Sequence, residues 1–194
     1  AADVGVSVAV IGGGSWGTAL AIHAARSGSP VRLWAREREV VDGISARRRS
    51  PWYLTDIDVP TPVEPTLDQA EALAGATVVI VAIPSEFVGA SLKALPPIPA
   101  DVPLVSATKG LDPERHLRMS ELIAERFPDA RVAVLSGPTF AREVALGRPT
   151  AAVIASRDDT LAALLQRPLG TPEFRLYPNR GVTRVELGGG LEDV

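Results

Sequence analysis

Val4-Gly5-Val6-Ser7-Val8-Ala9-Val10-Ile11-Gly12-Gly13-Gly14-Ser15-Trp16-Gly17 decides the fold. Residues 4–11 are mainly β-branched and apolar and stop at three glycines, as a buried strand does on entering a tight turn. Beyond Trp16 the period changes. Leu20, Ala21, Ala24 and Ala25 recur at helical spacing as far as Gly28, a C-cap residue. Gly12, Gly14 and Gly17 spell G-x-G-x-x-G across this junction. Alone the pattern is weak, but between a strand and a helix it reads as a dinucleotide site. Gly12 permits the turn, Gly14 lets backbone approach a pyrophosphate, and Gly17 lets the helix lie close on the strand. Amides at the helix start face the phosphates, and the Ser15 hydroxyl is a further donor.

Outward from this turn, strands are expected over 31–34, 77–82, 104–107, 131–135, 150–155 and 174–177. Helices are expected over 37–49, 67–73, 87–95, 117–127 and 158–166, with 50–65 and 96–103 as loops. Such alternation predicts an α/β fold, a Rossmann-like, doubly wound, mostly parallel sheet with helices on both faces and right-handed crossovers. The uninterrupted apolar run 78–83 suits a strand covered on both sides. A break near 179–181 divides the chain into a dinucleotide-binding domain, 1–180, and a short segment, 181–194. That segment reads as the opening of a helical domain with nothing left to pack on, so the second domain is expected to be missing.

Composition excludes several functions. The chain has 194 residues, 46% of them apolar and 22% charged, which suits a globular protein with a real core. A formal charge of −3 offers no bulk attraction for nucleic acid or an anionic membrane. With no cysteine and two histidines, neither a disulfide framework nor a metal site is expected. The longest apolar run is too short to span a bilayer, and no basic stretch precedes the first strand. A cytoplasmic location is the expectation. Only Lys93 and Lys109 are lysines among 20 basic residues, which singles both out.

The second strand bears on the cofactor. NAD binding calls for an acid about 20 residues past the glycines. Here the strand runs into Ala35-Arg36, and Arg36, with Arg38, can grip a 2′-phosphate through a planar fork. NADP(H) is therefore expected over NAD(H), although Glu37 stands close by; the alternative reading of Arg36 is a solvated surface charge. His23 and His116 read as structural or exposed, Trp34 and Trp52 as packing residues, and 47–49 as a solvated basic helix end.

Six segments occur together in order: G-G-G-S-W-G-T-A-L-A (12–21), V-R-L-W-A-R (31–36), V-A-I-P-S (81–85), A-T-K-G-L (107–111), S-G-P-T-F-A-R-E-V-A (136–145) and V-E-L-G-G (185–189). Along essentially its whole length the chain resembles the bacterial NAD(P)-dependent glycerol-3-phosphate dehydrogenases. The resemblance implies reversible hydride transfer between NAD(P)H and dihydroxyacetone phosphate, giving sn-glycerol 3-phosphate for phospholipid synthesis. It also implies roles. Ser15 and Trp16 would contact the cofactor, and Arg36 and Tyr53 would lie at its adenosine end. Pro84, with Ser85 at the end of the 78–83 strand, is read from that position as cofactor lining. By the resemblance, Lys109 would touch cofactor and substrate. Gly137, Thr139 and Ala141 would line the nicotinamide side, the first two also meeting substrate. A lysine at a strand end can attract a phosphorylated triose and stabilise charge on a carbonyl oxygen.

One departure stands out. The family continues V-E-L-G-G-A-L-K-N, whose lysine is the proposed proton donor; here Glu192 and Asp193 take the places of lysine and asparagine. A carboxylate delivers a proton only if burial raises its pKa, and it repels phosphate. Two readings follow: the N-terminal part of such a dehydrogenase, or a non-catalytic NADP(H)-binding module derived from one. Turnover by this chain alone is not expected. An uncovered apolar interface would favour self-association, for instance as a homodimer.

Overall fold

The computed structural model describes residues 5–137 and 140–191. Eight strands form one sheet in the order β3-β2-β1-β4-β5-β6-β7-β8. They are β1 (Val8–Ile11), β2 (Val31–Trp34), β3 (Val63–Thr66), β4 (Val78–Val81), β5 (Leu104–Ser106), β6 (Val132–Ser136), β7 (Thr150–Ala155) and β8 (Phe174–Asn179). Between them run α1 (Ser15–Arg26), α2 (Arg38–Arg47), α3 (Gln69–Leu73), α4 (Ser85–Ala94), α5 (Met119–Arg126), α6 (Ala141–Ala145) and α7 (Asp159–Leu169). Helix α8 (Val182–Leu191) follows β8. The first six strands are parallel; β7 is antiparallel to β6, and β8 pairs parallel with β7. This is a Rossmann-like order, lengthened by two reversed strands.

Two apolar layers sandwich the sheet. Val8 and Val10 of β1 face one layer together with Val78 and Ile80 of β4, and α1 lies there. Ala9, Ile11, Val79 and Val81 face the other, with Val88 and Leu92 of α4 and Ile123 of α5. Burial on both sides explains why β1 and β4 are apolar at every position. The chain leaves β1 toward β2 and β3, then crosses back to β4 on β1's other side. The C-terminal ends of β1 and β4 are thus the topological switch point, where open α/β sheets bind ligands.

Three expectations need correction. The stretch 50–65, read as loop, ends in β3, whose Val-Glu-Pro-Thr pairs in register with β2 (Val31 with Val63, Leu33 with Pro65). Pro65 lacks an N–H, and an edge strand is where a sheet tolerates that loss. The basic end 47–49 is not simply solvated. Arg48, in the left-handed region at φ 56°, donates to the carbonyls of Val59 (3.1 Å), Val63 (2.6 Å) and Pro60, tying the α2 end to β3. The final helix starts at Val182, and its described part is packed: Val182 and Val185 lie against Val134 and Ala155 of β6 and β7. Glu186, its side chain only 6% exposed, accepts from the Ser120 amide (2.9 Å), Ser120 Oγ (2.8 Å) and Arg118 Nη1 (2.8 Å) at the start of α5.

His23 is structural, one of the alternatives read from the sequence. It is buried in α1, its Nε2 lies 2.5 Å from the Leu169 carbonyl, and its ring sits 4.5 Å from that of Phe174. Burial lowers its pKa from the usual value of 6.5. His116 is exposed. Trp34 is half-buried and donates Nε1 to the Leu67 carbonyl at 3.0 Å, whereas Trp52 is exposed.

Candidate dinucleotide site

The glycine turn is built by exclusion. Gly12 has φ 132°, and a Cβ there would sit 2.2 Å from the Ala82 carbonyl oxygen. A Cβ on Gly17 would lie 1.8 Å from the Gly12 oxygen, so only glycine lets α1 approach its own turn this closely. Gly13, which the sequence reading left without a role, is required too: its Cβ would meet the Ala35 Cβ at 2.5 Å. Gly14 differs, because nothing lies within 4 Å of its Cβ direction. The backbone is therefore uncovered where a pyrophosphate has to come close. Gly14 is also the N-cap of α1, no side chain caps it, and the first turn carries no acid. Amide partial charge is left facing outward, which suits an anion. Ser15 is exposed at this helix start, and Trp16 is half-buried against the α1 core layer.

The neighbouring strand ends complete a rim. Arg36 follows β2 and is exposed; its Nε is 3.8 Å from a Glu37 carboxylate oxygen. Its guanidinium also lies 5.3 Å from the centre of the Phe87 ring in α4, within cation–π range. Arg36 thus reaches from the end of β2 past β1 toward the helix after β4. Phe87 escaped the sequence reading, which placed it only as a helix start; its signal is a large apolar side chain left 43% exposed. Pro84 is the exposed N-cap of α4, beside the switch point. Tyr53 sits half-buried in the 50–58 loop on the same core layer as Trp16 and Ala141.

Lys109 is held by its neighbour. Thr108 Oγ1 donates to the Ile83 carbonyl at 2.7 Å and accepts from the Ile83 amide at 3.2 Å. This brace fixes the turn after β5 against the turn after β4. Half-buried Lys109 lies between braced Thr108 and Gly110, where a Cβ would lie 3.6 Å from Ser85 Oγ. Gly137, at the end of β6, has φ 154°, and a Cβ there would crowd Ala152 Cα at 3.1 Å, so glycine lets β6 and β7 close up. Thr139, expected to line the site, and Pro138 before it lie outside the described residues, as do Glu192 and Asp193. Helix α8 crosses these same ends. A Cβ on Gly189 would meet Ser136 Oγ at 2.4 Å, and one on Gly190 would meet Gly110 Cα at 3.4 Å. The structure therefore brings Gly12, Gly14, Ser15, Trp16, Gly17, Arg36, Pro84, Lys109 and Gly137 to one edge of the sheet, with Tyr53 and Ala141 on the adjoining α1 layer.

Comparison with known proteins decides the family. Residues 7–162 match the family model described as NAD-dependent glycerol-3-phosphate dehydrogenase N-terminus. The chain belongs to this family. It is 48% identical over 193 residues to the glycerol-3-phosphate dehydrogenase [NAD(P)+] of Koribacter versatilis, covering 96% of this chain and 57% of the relative. The Rhodospirillum rubrum protein of the same name is 45% identical, with 96% and 54% covered. The chain therefore spans little more than half the length of these relatives. Among solved structures, the glycerol-3-phosphate dehydrogenase of Coxiella burnetii superposes with a TM-score of 0.89 at 34% identity, covering 96% of this chain and 57% of that one. The family is one of NAD(P)-dependent oxidoreductases. Among the described residues, no helix is long and apolar enough to cross a membrane, and no cluster of three or more His, Asp or Glu could hold a metal ion.

Proposed function

We propose that this chain is the dinucleotide-binding part of an NAD(P)-dependent glycerol-3-phosphate dehydrogenase serving phospholipid synthesis in the cytoplasm, and that it prefers NADP(H). The observation that carries this reading is the glycine turn: Gly12 and Gly17 admit no side chain, while Gly14 is open at an uncapped helix start. The residues fit the cofactor. The α1 amides and Ser15 would hold the diphosphate, Trp16, Tyr53 and Pro84 would line the cofactor, and Arg36 would meet a 2′-phosphate. When bound, the nicotinamide supplies or receives the hydride. Lys109 would attract the phosphate of a triose substrate and favour negative charge on the carbonyl oxygen during reduction. Gly137, Thr139 and Ala141 would border the nicotinamide end.

A second reading has one observation behind it. Glu192 occupies the position where the family carries its proton-transferring lysine, which favours an NADP(H)-binding module without turnover. The two share the cofactor site and part at chemistry. Calorimetric titration with NADPH tests the shared claim: saturable one-to-one binding is expected, and its absence refutes it. Following NADPH absorbance with dihydroxyacetone phosphate separates the readings. Steady oxidation supports the dehydrogenase; binding without oxidation supports the module.

A further inference from the structure

Two segments 86 residues apart are joined by a fork. Arg142 of α6 donates Nη1 to Asp56 Oδ1 at 2.9 Å and Nη2 to Asp56 Oδ2 at 2.7 Å. A guanidinium bound through two parallel hydrogen bonds fixes orientation as well as distance. Those bonds bring the Asp56 carboxyl down to about 2, so the pair remains charged throughout the neutral range. Each partner adjoins a residue placed at the cofactor above: Asp56 is three residues past Tyr53, and Arg142 is next to Ala141. Both segments have anchors of their own. Ile57 and Val59 bury the loop, and Val144 and Ala145 bury α6. Both charged groups are well exposed, so folding has little need of their attraction. What the fork does determine is the spacing between two separately anchored walls.

We propose that Asp56 and Arg142 form a clasp that sets the distance between the 50–58 loop and α6, preorganising both walls for a whole dinucleotide. They are positioning residues, and the inference rests on the dinucleotide reading. Preorganisation of this kind strengthens only a ligand that reaches both walls. NADPH does so; 2′,5′-ADP, its adenosine half, engages the loop side alone. The test is calorimetric titration of both probes into the unaltered chain, Asp56→Asn, Arg142→Ala, Arg142→Lys and the double exchange Asp56→Arg with Arg142→Asp. NADPH affinity is expected to fall roughly fivefold in the single variants. Affinity for 2′,5′-ADP and the thermal midpoint should stay unchanged, and the double exchange should restore most of the NADPH affinity. Equal NADPH affinity in all variants overturns the clasp, and so does a parallel loss of both probes. If the unaltered chain binds neither probe, the dinucleotide reading itself fails and the clasp falls with it.

Discussion

A Cβ added to Gly17 would stand 1.8 Å from the carbonyl oxygen of Gly12, closer than any non-bonded carbon and oxygen can come. The helix cannot yield without leaving the sheet, and Gly12 cannot yield because its own Cβ direction points at the Ala82 carbonyl. Gly17→Ala is therefore expected to cost about 3 kcal/mol of stability, read from urea unfolding. Gly14→Ala is the contrasting variant. Its Cβ enters open space, so the unfolding midpoint should hold while NADPH affinity drops at least about tenfold through lost backbone approach. Equal stability of the two variants would contradict the steric argument.

Arg36 should carry the preference between cofactors. It is exposed, close to Glu37 and over the Phe87 ring. Titrating NADPH and NADH into the chain and into Arg36→Ala should show tighter NADPH binding that the substitution largely abolishes. Equal affinities in the unaltered chain would remove the assignment.

Glu186 is expected to stabilise α8 on the sheet. Its carboxylate is nearly buried and accepts three hydrogen bonds at the start of α5. Glu186→Ala leaves the Ser120 amide and hydroxyl without those acceptors, and should lower the unfolding free energy by about 2 kcal/mol. An unfolding midpoint indistinguishable from the parent would show that the contact does not hold the helix.

His23 should make stability depend on pH. Burial, the largest cause, lowers its folded pKa below 6.5, so the unfolded chain takes up the proton first. Its contribution is complete above about pH 6.5 and is lost as pH falls toward the folded pKa, at most about 1.4 kcal/mol per pH unit. Urea unfolding between pH 7.5 and pH 5 should show this slope, and His23→Gln should flatten it. Parallel slopes in both proteins would exclude His23 as the source.

The sequence disclosed what short-range chemistry determines. The β1–turn–α1 unit was legible because an apolar run, a glycine turn and a change of period follow one another directly between Val4 and Gly28. β4 was legible because burial on both faces leaves no polar residue to interrupt it. What escaped depends on partners distant in the chain. β3 is an edge strand carrying a proline, and only its pairing with β2 makes it a strand. Gly13 is needed because Ala35 arrives beside it, and Arg48 is captured by carbonyls 11 to 15 residues later. The reversal at β7 has no local signal in Thr150–Ala155, whose apolar pattern suits either direction.

Because β1 sends Val8 and Val10 into one layer and Ala9 and Ile11 into the other, sliding it by one residue would not expose oil to water. It would trade side chains between two dry compartments, an error that hydrophobicity alone punishes weakly. Correct alignment then depends on volume and on a stop at the strand's end. That stop is the Gly12 amide, which donates to the Trp34 carbonyl at 3.0 Å. The loop proposed to seat a diphosphate is also the peg against which the sheet is indexed, so damage there should misalign strands as well as empty the cleft.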